Sequence, residues 1–361
     1  MARIDLSDLA HAYRADPKTP ADYALKKLDL SWRDGGAYAL LGPSGCGKTT
    51  LLNIISGLVH PSHGRVLFDG KDVTNLPTER RNIAQVFQFP VIYDTMTVAE
   101  NLAFPLKNRG VDRATIDRRV ATIGEMLELT PLLNRNASGL TADLKQKISL
   151  GRGLVREDVA AILFDEPLTV IDPHLKWQLR TQLKRLHTQS RATMIYVTHD
   201  QTEALTFADT VVVMYDGEIV QIGPPQALFD QPEHTFVGYF IGSPGMNVLP
   251  AAVDGTNALV EGTTVALGTR YSALPKTARI EIGVRPEHVR LSTKGEGVPV
   301  EIVRIDDIGR LKVAKLSLAG RPLAAVLPED STLEGSGVRA VFDPGRVHVY
   351  ADGRRVAGEA A

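Results

Sequence analysis

Up to about residue 240, apolar positions fall into short unbroken runs separated by stretches with helical spacing. Residues 37–41, 160–164, 193–197 and 209–214 are such runs. An unbroken apolar run suits a strand buried on both faces, which is how strands lie in a parallel sheet covered by helices. Residues 48–58 have helical spacing, as does a later segment with Trp177, Leu179, Leu183 and Leu186. The alternation predicts an α/β domain with a mainly parallel sheet over residues 1–240. After Asn247 the texture changes to short β-type runs at 278–285, 298–308, 311–319, 337–343 and 347–350, separated by Gly, Pro and Asp. They predict a second, β-rich domain, a small barrel over residues 247–352. The boundary is expected at Gly242-Ser243-Pro244-Gly245. Residues 353–361 form a small, charged tail that is expected to fray.

A chain of 361 residues suits two domains, and 43% hydrophobic content is too high for general disorder. With 41 Lys+Arg against 42 Asp+Glu, the formal net charge is -1. That balance lacks the basic excess of a dedicated nucleic-acid binder, so nucleic acid is not expected as a partner. The single cysteine, Cys46, excludes an intrachain disulfide framework and a multi-cysteine zinc site. The N-terminus alternates charged and apolar residues, without the apolar core of a signal peptide. No run approaches the ~18–20 apolar residues that span a bilayer. A role at a membrane would therefore require docking on other subunits.

Gly42, Pro43, Ser44, Gly45, Cys46, Gly47, Lys48 and Thr49 fit the pattern G-x-x-x-x-G-K-[ST]. They lie where that pattern needs to lie, after a predicted strand and opening a predicted helix. The glycines let backbone N–H groups turn toward phosphate oxygens, and the helix N-terminus adds partial positive charge. Lys48 is placed to reach the β- and γ-phosphates and Thr49 to ligate Mg2+, with Thr50 next in the same turn. Cys46 fills a variable slot and reads as a bystander. Further on, an apolar run ends in Asp165, Glu166 and Pro167. Alone, two carboxylates at a strand end are ordinary solvated surface. Delivered to a sheet edge beside a phosphate cradle, Asp165 suits the Mg2+ shell, and Glu166 suits a general base for water.

With these residues the chain resembles the ATPase subunits of ABC transporters. The resemblance implies ATP and Mg2+ as ligands, a helical subdomain at about 89–158, and further site residues in matching order. Tyr13 falls where the family stacks an aromatic ring on adenine. Gln88 matches the glutamine that approaches Mg2+ and water, Asp172 the D-loop aspartate, and His199 the switch histidine at the γ-phosphate. Residues 15–23, after Tyr13, form a longer stretch than similar proteins carry, long enough to displace the ring. In related ATPases the region corresponding to 88–104 receives a cytoplasmic helix of the membrane subunit, and Phe89, Tyr93 and Met96 suit such a groove. The implied partners are two transmembrane permease subunits, a second ATPase subunit and, indirectly, a solute-binding protein. The implied location is peripheral, on the cytoplasmic face of the membrane. The C-terminal half resembles the OB-like regulatory domain on ATPases of bacterial carbohydrate importers of the maltose and glycerol-phosphate type, through residues 241–247 and 283–288. Within the latter, Glu287 and His288 read as a turn rather than a metal site.

The family places Leu-Ser-Gly-Gly-Gln at the start of a helix, where it completes the ATP site of the opposing subunit. Aligned back from residues 151–156, those positions here are Leu140, Thr141, Ala142, Asp143 and Leu144. Thr141 keeps the hydroxyl; both glycines and the glutamine are replaced. A Cβ obstructs close backbone approach, and Asp143 sets a carboxylate where a helix dipole should meet phosphate. Two like charges ~4–5 Å apart cost about 3–4 kcal/mol at an effective dielectric near 20. Asp143 is also expected to cap the helix. The expected function is ATP hydrolysis energising an importer of a carbohydrate or polyol, with glycerol as the narrower choice, in an asymmetric pair with a non-identical ATPase. The alternatives are an ATP-sensing regulatory subunit with little hydrolysis, and a soluble non-transport ABC ATPase.

Overall fold

A computed structural model describes residues 2–190, 192–272, 274–293, 295, 297–309, 311–329, 331 and 337–359. Residues 360 and 361 of the tail, and positions 273, 294, 296, 310, 330 and 332–336 of the β-rich domain, lie outside the described residues. The chain divides into two compact units, Met1–Pro225 and Gln226–Ala361.

The first unit runs β1 (Ile4–His11), β2 (Leu25–Trp32), β3 (Ala37–Leu41), α1 (Lys48–Ser56), β4 (His63–Phe68), β5 (Lys71–Asp72), β6 (Ala84–Val86), α2 (Val98–Lys107), α3 (Arg113–Met126), α4 (Ala142–Leu154), β7 (Ile162–Asp165), α5 (Pro173–Ser190), β8 (Met194–Thr198), α6 (Gln201–Phe207), β9 (Thr210–Tyr215) and β10 (Glu218–Gly223). Its central sheet has the order β10-β9-β3-β8-β7-β6. Every pairing there is parallel except that of β9 with β10. All residues of β3 and β8 are buried, as their unbroken apolar runs require. A second, antiparallel sheet, order β2-β1-β4-β5, escapes the sequence reading. Its lead strand β1 loses register twice, and Asp8 within it has φ 51°.

The core of this unit gathers Trp32, Leu40, Leu51, Ile54, Leu163, Val197 and Val212. Helix α1 is fixed at its far end by the fully buried Arg81. Its Nη1 donates to the carbonyls of Ile54 (2.6 Å) and Ile55 (2.9 Å), and its Nη2 to that of Thr74 (2.7 Å). A cation on the last carbonyls of a helix satisfies orphan acceptors and the dipole together. Helix α2 begins in a reciprocal capping box, in which Thr97 Oγ1 accepts from the Glu100 amide (3.2 Å) and Glu100 Oε2 from the Thr97 amide (2.8 Å).

The second unit begins earlier than the expected boundary at 242–245, because it includes α7 (Pro225–Asp230) from Gln226 onward and α8 (Thr235–Phe240). The buried Arg285 side chain holds them there. It donates to the carbonyls of Phe229 and Ile241, each at 2.6 Å, and its guanidinium lies 3.8 Å from the Phe229 ring centre. The unit is otherwise built of small antiparallel sheets. One joins Asn247–Pro250, Ile280–Val284, His348–Ala351 and Arg354–Arg355; another joins Glu301–Asp307, Lys312–Leu318 and Arg321–Leu327. A hairpin of Ala252–Val260 and Thr263–Tyr271 turns at Glu261-Gly262, both with positive φ. The described part of the tail, residues 353–359, does not fray as expected. The Arg355 amide donates to Glu233, that of Val356 to Val349, and Glu359 exchanges backbone bonds with Arg270. Pro286–His288 is a 3-10 turn, and among the described residues no group of three or more His, Cys, Asp or Glu side chains is arranged to hold a metal. No described helix is long and apolar enough to cross a membrane.

Candidate active site

Three neighbouring strands deliver the candidate chemistry to one sheet edge. The order β3-β8-β7 places the cradle after β3, His199 after β8 and the two carboxylates at the end of β7. This is the carboxyl edge where open α/β sheets bind ligands.

In the cradle, Gly45 and Gly47 have φ of 83° and 98°. Gly42 is needed for a different reason: a Cβ there would stand 2.2 Å from the Met214 carbonyl oxygen. Helix α1 starts at Lys48, so the first-turn amides have no intrahelical acceptor and are left for an anion. Lys48 is buried, and its Nζ donates to the carbonyls of Gly42 and Pro43, both at 2.8 Å. Pro43 is half-buried and Ser44 exposed in the same loop. Thr49 Oγ1 donates to Asp165 Oδ1 at 3.0 Å, which ties the cradle to β7. Cys46 is buried beneath the loop, and burial pushes its thiol up, so the structure gives it the inert character of a bystander.

Tyr13 stays beside the cradle. Its hydroxyl lies 3.1 Å from Thr50 Oγ1, its ring meets His11 edge-on at 4.6 Å, and 67% of it is exposed. Residues 15–23 do not pull it away. They fold around Asp22, whose carboxylate accepts from the amides of Thr19 (2.9 Å) and Lys18 (3.0 Å) and from Arg14 (2.7 Å).

At the end of β7, burial pushes the Asp165 carboxyl above the usual carboxylate range, and the Glu166 charge adds to the effect. Glu166 has φ 45°, a left-handed conformation rare for a residue with a side chain. The surroundings fix it. Its amide donates to Val197 (2.9 Å), and its carbonyl accepts from the Thr169 amide (3.2 Å) and hydroxyl (3.0 Å). Such strain persists where neighbours over-determine it, and it re-aims the side chain. Glu166 Oε1 lies 2.9 Å from His199 Nδ1. The structure therefore brings Lys48, Thr49, Asp165, Glu166 and His199 together.

Gln88 lies just past β6 and is half-buried. Its loop is tied to the β7 loop by a residue that the sequence reading passes over. Gln146, buried on α4, donates through Nε2 to the carbonyls of Phe87 (3.1 Å) and Pro167 (2.8 Å). A glutamine inside an amphipathic helix carries no signal that would have found it. Asp172 is exposed and starts α5: its Oδ1 accepts from the His174 amide (2.9 Å), and its carbonyl accepts from Leu175 and Lys176.

The structure corrects one expectation about the degenerate segment 140–144. Thr141, not Asp143, occupies the N-cap of α4, and it makes no side-chain cap bond. Asp143 sits inside the first turn, after Ala142 and before Leu144. Thr141 already supplies the extended backbone that a cap requires, so the aspartate falls at the second helical position. Beyond Gln88, the fully buried Asn101 pins the next segment, accepting from the Tyr93 amide (2.8 Å) and donating to the carbonyls of Tyr93 (2.9 Å) and Thr97 (3.0 Å). Phe89, Val91 and Tyr93 are exposed there.

The ABC transporter family matches residues 25–169, the MalK OB fold domain residues 242–289 and the TOBE domain residues 282–350. The chain is 38% identical over 365 residues to the sn-glycerol-3-phosphate import ATP-binding protein UgpC of Paracoccus denitrificans, covering 99% of this chain and 100% of that protein. It is 37% identical over 358 residues to the protein of the same name in Yersinia pestis, covering 97% of each. Among solved structures, cbiO1 of Clostridium perfringens, part of an ABC transporter complex, aligns with a TM-score of 0.57 at 26% identity, over 63% of this chain and 90% of that one. A dimeric ATP-binding cassette in a post-hydrolysis state, bound to ADP and phosphate, aligns with a TM-score of 0.55 at 27% identity, over 62% and 98%. From the strand-edge site through to the C-terminal domains, the chain belongs to the ATP-binding subunits of ABC transporters.

Proposed function

We propose that this chain hydrolyses ATP to energise a membrane importer of a carbohydrate or polyol. The observation that carries the reading is the pair of contacts across adjacent strand ends, Thr49 with Asp165 at 3.0 Å and Glu166 with His199 at 2.9 Å. They tie the phosphate cradle, a metal-suited carboxylate and a base-suited carboxylate into one site. The relatives named for sn-glycerol-3-phosphate import support a three-carbon polyol or its phosphate as the narrower solute class.

The chain's own residues divide the work. The loop from Gly42 to Thr49, with Lys48, binds and orients the phosphates, and Tyr13 offers an exposed ring to the base. Thr49, Asp165 and Gln88 are hard oxygen donors, and Asp165 is a half-buried carboxylate already bonded to Thr49; this set fits Mg2+. When bound, Mg2+ would neutralise charge on the phosphate oxygens. Glu166, fixed at the carboxyl edge, orients water and takes its proton. His199 is engaged through Nδ1 by Glu166, which leaves its other ring nitrogen for a phosphate oxygen. Residues 88–104 are the docking face for two permease subunits, and a solute-binding protein acts through them from the other side. The subunit works peripherally at the cytoplasmic face.

The partner in the ATPase pair is a non-identical subunit with an intact glycine-containing signature. The reading is supported by Asp143, which sets a carboxylate in the first turn of the helix that must face the partner's ATP. Two measurements test the proposal. In proteoliposomes, hydrolysis should rise when the solute-loaded binding protein is added; an unchanged rate would favour an ATP sensor. A tagged chain isolated gently from its membrane should carry one copy of itself and one of a second ATPase, and two copies of itself would overturn the asymmetric pair.

A further inference from the structure

Glu203 is 3% exposed and takes no part in the chemistry above. It stands on α6, one turn beyond His199. Its Oε2 accepts from Thr198 Oγ1 at 2.8 Å and from the Tyr196 hydroxyl at 3.1 Å. Its Oε1 lies 3.6 Å from Lys176 Nζ on α5. A buried carboxylate persists only with such partners. Burial, with the Glu203 charge beside it, pushes the Tyr196 phenol up, so that group remains a donor.

The bonds of Glu203 bracket the switch histidine. Thr198 Oγ1, which donates to Glu203, accepts from the Asp200 amide at 3.0 Å. Asp200 Oδ1 accepts from the Glu203 amide at 3.1 Å. The residues on both sides of His199 are therefore fixed to Glu203, whereas the His199 side chain itself is exposed. On the other side, Lys176 lies one turn into the helix that Asp172 starts, and its amide donates to the Asp172 carbonyl at 3.0 Å. The fold of α6 does not need this network, because Ala204 and Phe207 are fully buried and the Phe207 ring packs on Tyr196 at 5.1 Å. A buried charge with hydrogen-bonded partners, in a helix already anchored by apolar contacts, is spent on position.

We infer that Glu203 is a positioning residue that sets the aim of His199 and links it to α5, the helix beginning at Asp172. This rests on the reading of Glu166 and His199 as the hydrolytic pair. The test uses the assembled transporter in liposomes, with E203Q, H199A and the double variant, and with E203M as a control that keeps the packing volume. A misplacement of about 1 Å costs up to ~100-fold, so E203Q and E203M should lower kcat by ~10- to 100-fold. The ATP KM should stay close to that of the unchanged protein, as should the thermal midpoint of E203Q, whereas E203M should melt lower because it leaves the buried Tyr196 and Thr198 hydroxyls without that acceptor. In the H199A background, E203Q should cost almost nothing further, because the two act as a unit. Unchanged kcat in E203Q, or losses that add in the double variant and track a falling midpoint, would overturn the inference. Full turnover in H199A would overturn instead the underlying reading of the site, and this role with it.

Discussion

Lys145 Nζ on α4 lies 2.8 Å from Asp94 Oδ1, joining the helix headed by residues 140–144 to the segment that follows Gln88. Asp94 is largely exposed, so the pair itself is worth about 0–1 kcal/mol in stability. Its value is mechanical, because a second tie runs in parallel. Arg152 Nη1 donates to the Val91 carbonyl at 2.8 Å and lies 4.7 Å from the Tyr93 ring centre. A push on the exposed Phe89 and Tyr93 reaches α4 through both. Removing both ties, in K145A/R152A, should cost about 1 kcal/mol of coupling, roughly fivefold. The check is solute uptake against ATP hydrolysis in the same vesicles. Uptake per ATP should fall, with little change in the thermal midpoint.

Glu166→Gln keeps the shape and the contact distance to His199 but removes the basic oxygen. General bases contribute about 10²–10⁴-fold, so turnover should fall within that range. Nucleotide affinity, which rests on the loop from Gly42 to Thr49, should hold. Equilibrium binding of a labelled ATP analogue alongside steady-state turnover measures both. Undiminished hydrolysis would mean that another group activates water.

What the sequence discloses and what it hides follow from range. The buried strands β3 and β8 show as unbroken apolar runs because a parallel sheet covered on both faces leaves no polar side. The cradle is legible because its constraints are local: a positive φ at Gly45 and Gly47, and a close approach at Gly42. Asp69-Gly70, Asp216-Gly217 and Asp352-Gly353 are two-residue hairpin turns with both residues at positive φ, a local signal that the sequence reading passes over. Glu261-Gly262 and Ala319-Gly320 make the same turn with residues that give weaker notice, and the strands at Ala252–Val260, Thr263–Tyr271 and Arg321–Leu327 beside them lie outside the predicted runs. Gln146 and Arg285 are hidden because their partners are carbonyls tens of residues away, and Glu203 because its hydroxyl partners sit on the preceding strand and its cation on another helix. Nothing near Gly242 reveals that Arg285 holds the helices preceding it, which is why they group with the second unit.

His348 sets an acid limit on the second unit. Burial lowers its pKa from 6.5 to about 4, and the nearby Arg355 adds to the shift. Its Nε2 lies 3.2 Å from the Asp230 carbonyl, a bond the neutral ring makes with that nitrogen protonated. Because the folded pKa lies below the unfolded one, the unfolded chain binds more protons between the two values. The stabilisation is present in full above about pH 6.5 and is lost as pH falls toward 4, amounting to about 2–3 kcal/mol. Denaturant melts of the full chain at pH 7 and pH 4.5, followed by a probe in the second unit, should show the loss. His348→Gln should flatten that pH dependence.

The segment 140–144 allows charge to be separated from steric fit. Thr141 at the N-cap leaves the first-turn amides of α4 available to an anion, which is the arrangement a phosphate-facing helix needs. Ala142 and Asp143 then oppose it in two ways, one through a Cβ at each position and one through a carboxylate. D143N removes the charge and keeps the bulk. If the repulsion of about 3–4 kcal/mol is even half realised, the variant should raise turnover in the assembled complex by roughly tenfold. Adding A142G and replacing Asp143 with glycine should give a further gain if backbone approach also limits closure. The measurement is ATP turnover of the complex at saturating solute-loaded binding protein, with each variant in this subunit alone. A gain from D143N alone would locate the barrier in electrostatics. A gain appearing only with the glycines would locate it in backbone approach. No gain from either would mean that this helix does not limit the cycle, and the case for a non-identical partner would lose its physical basis.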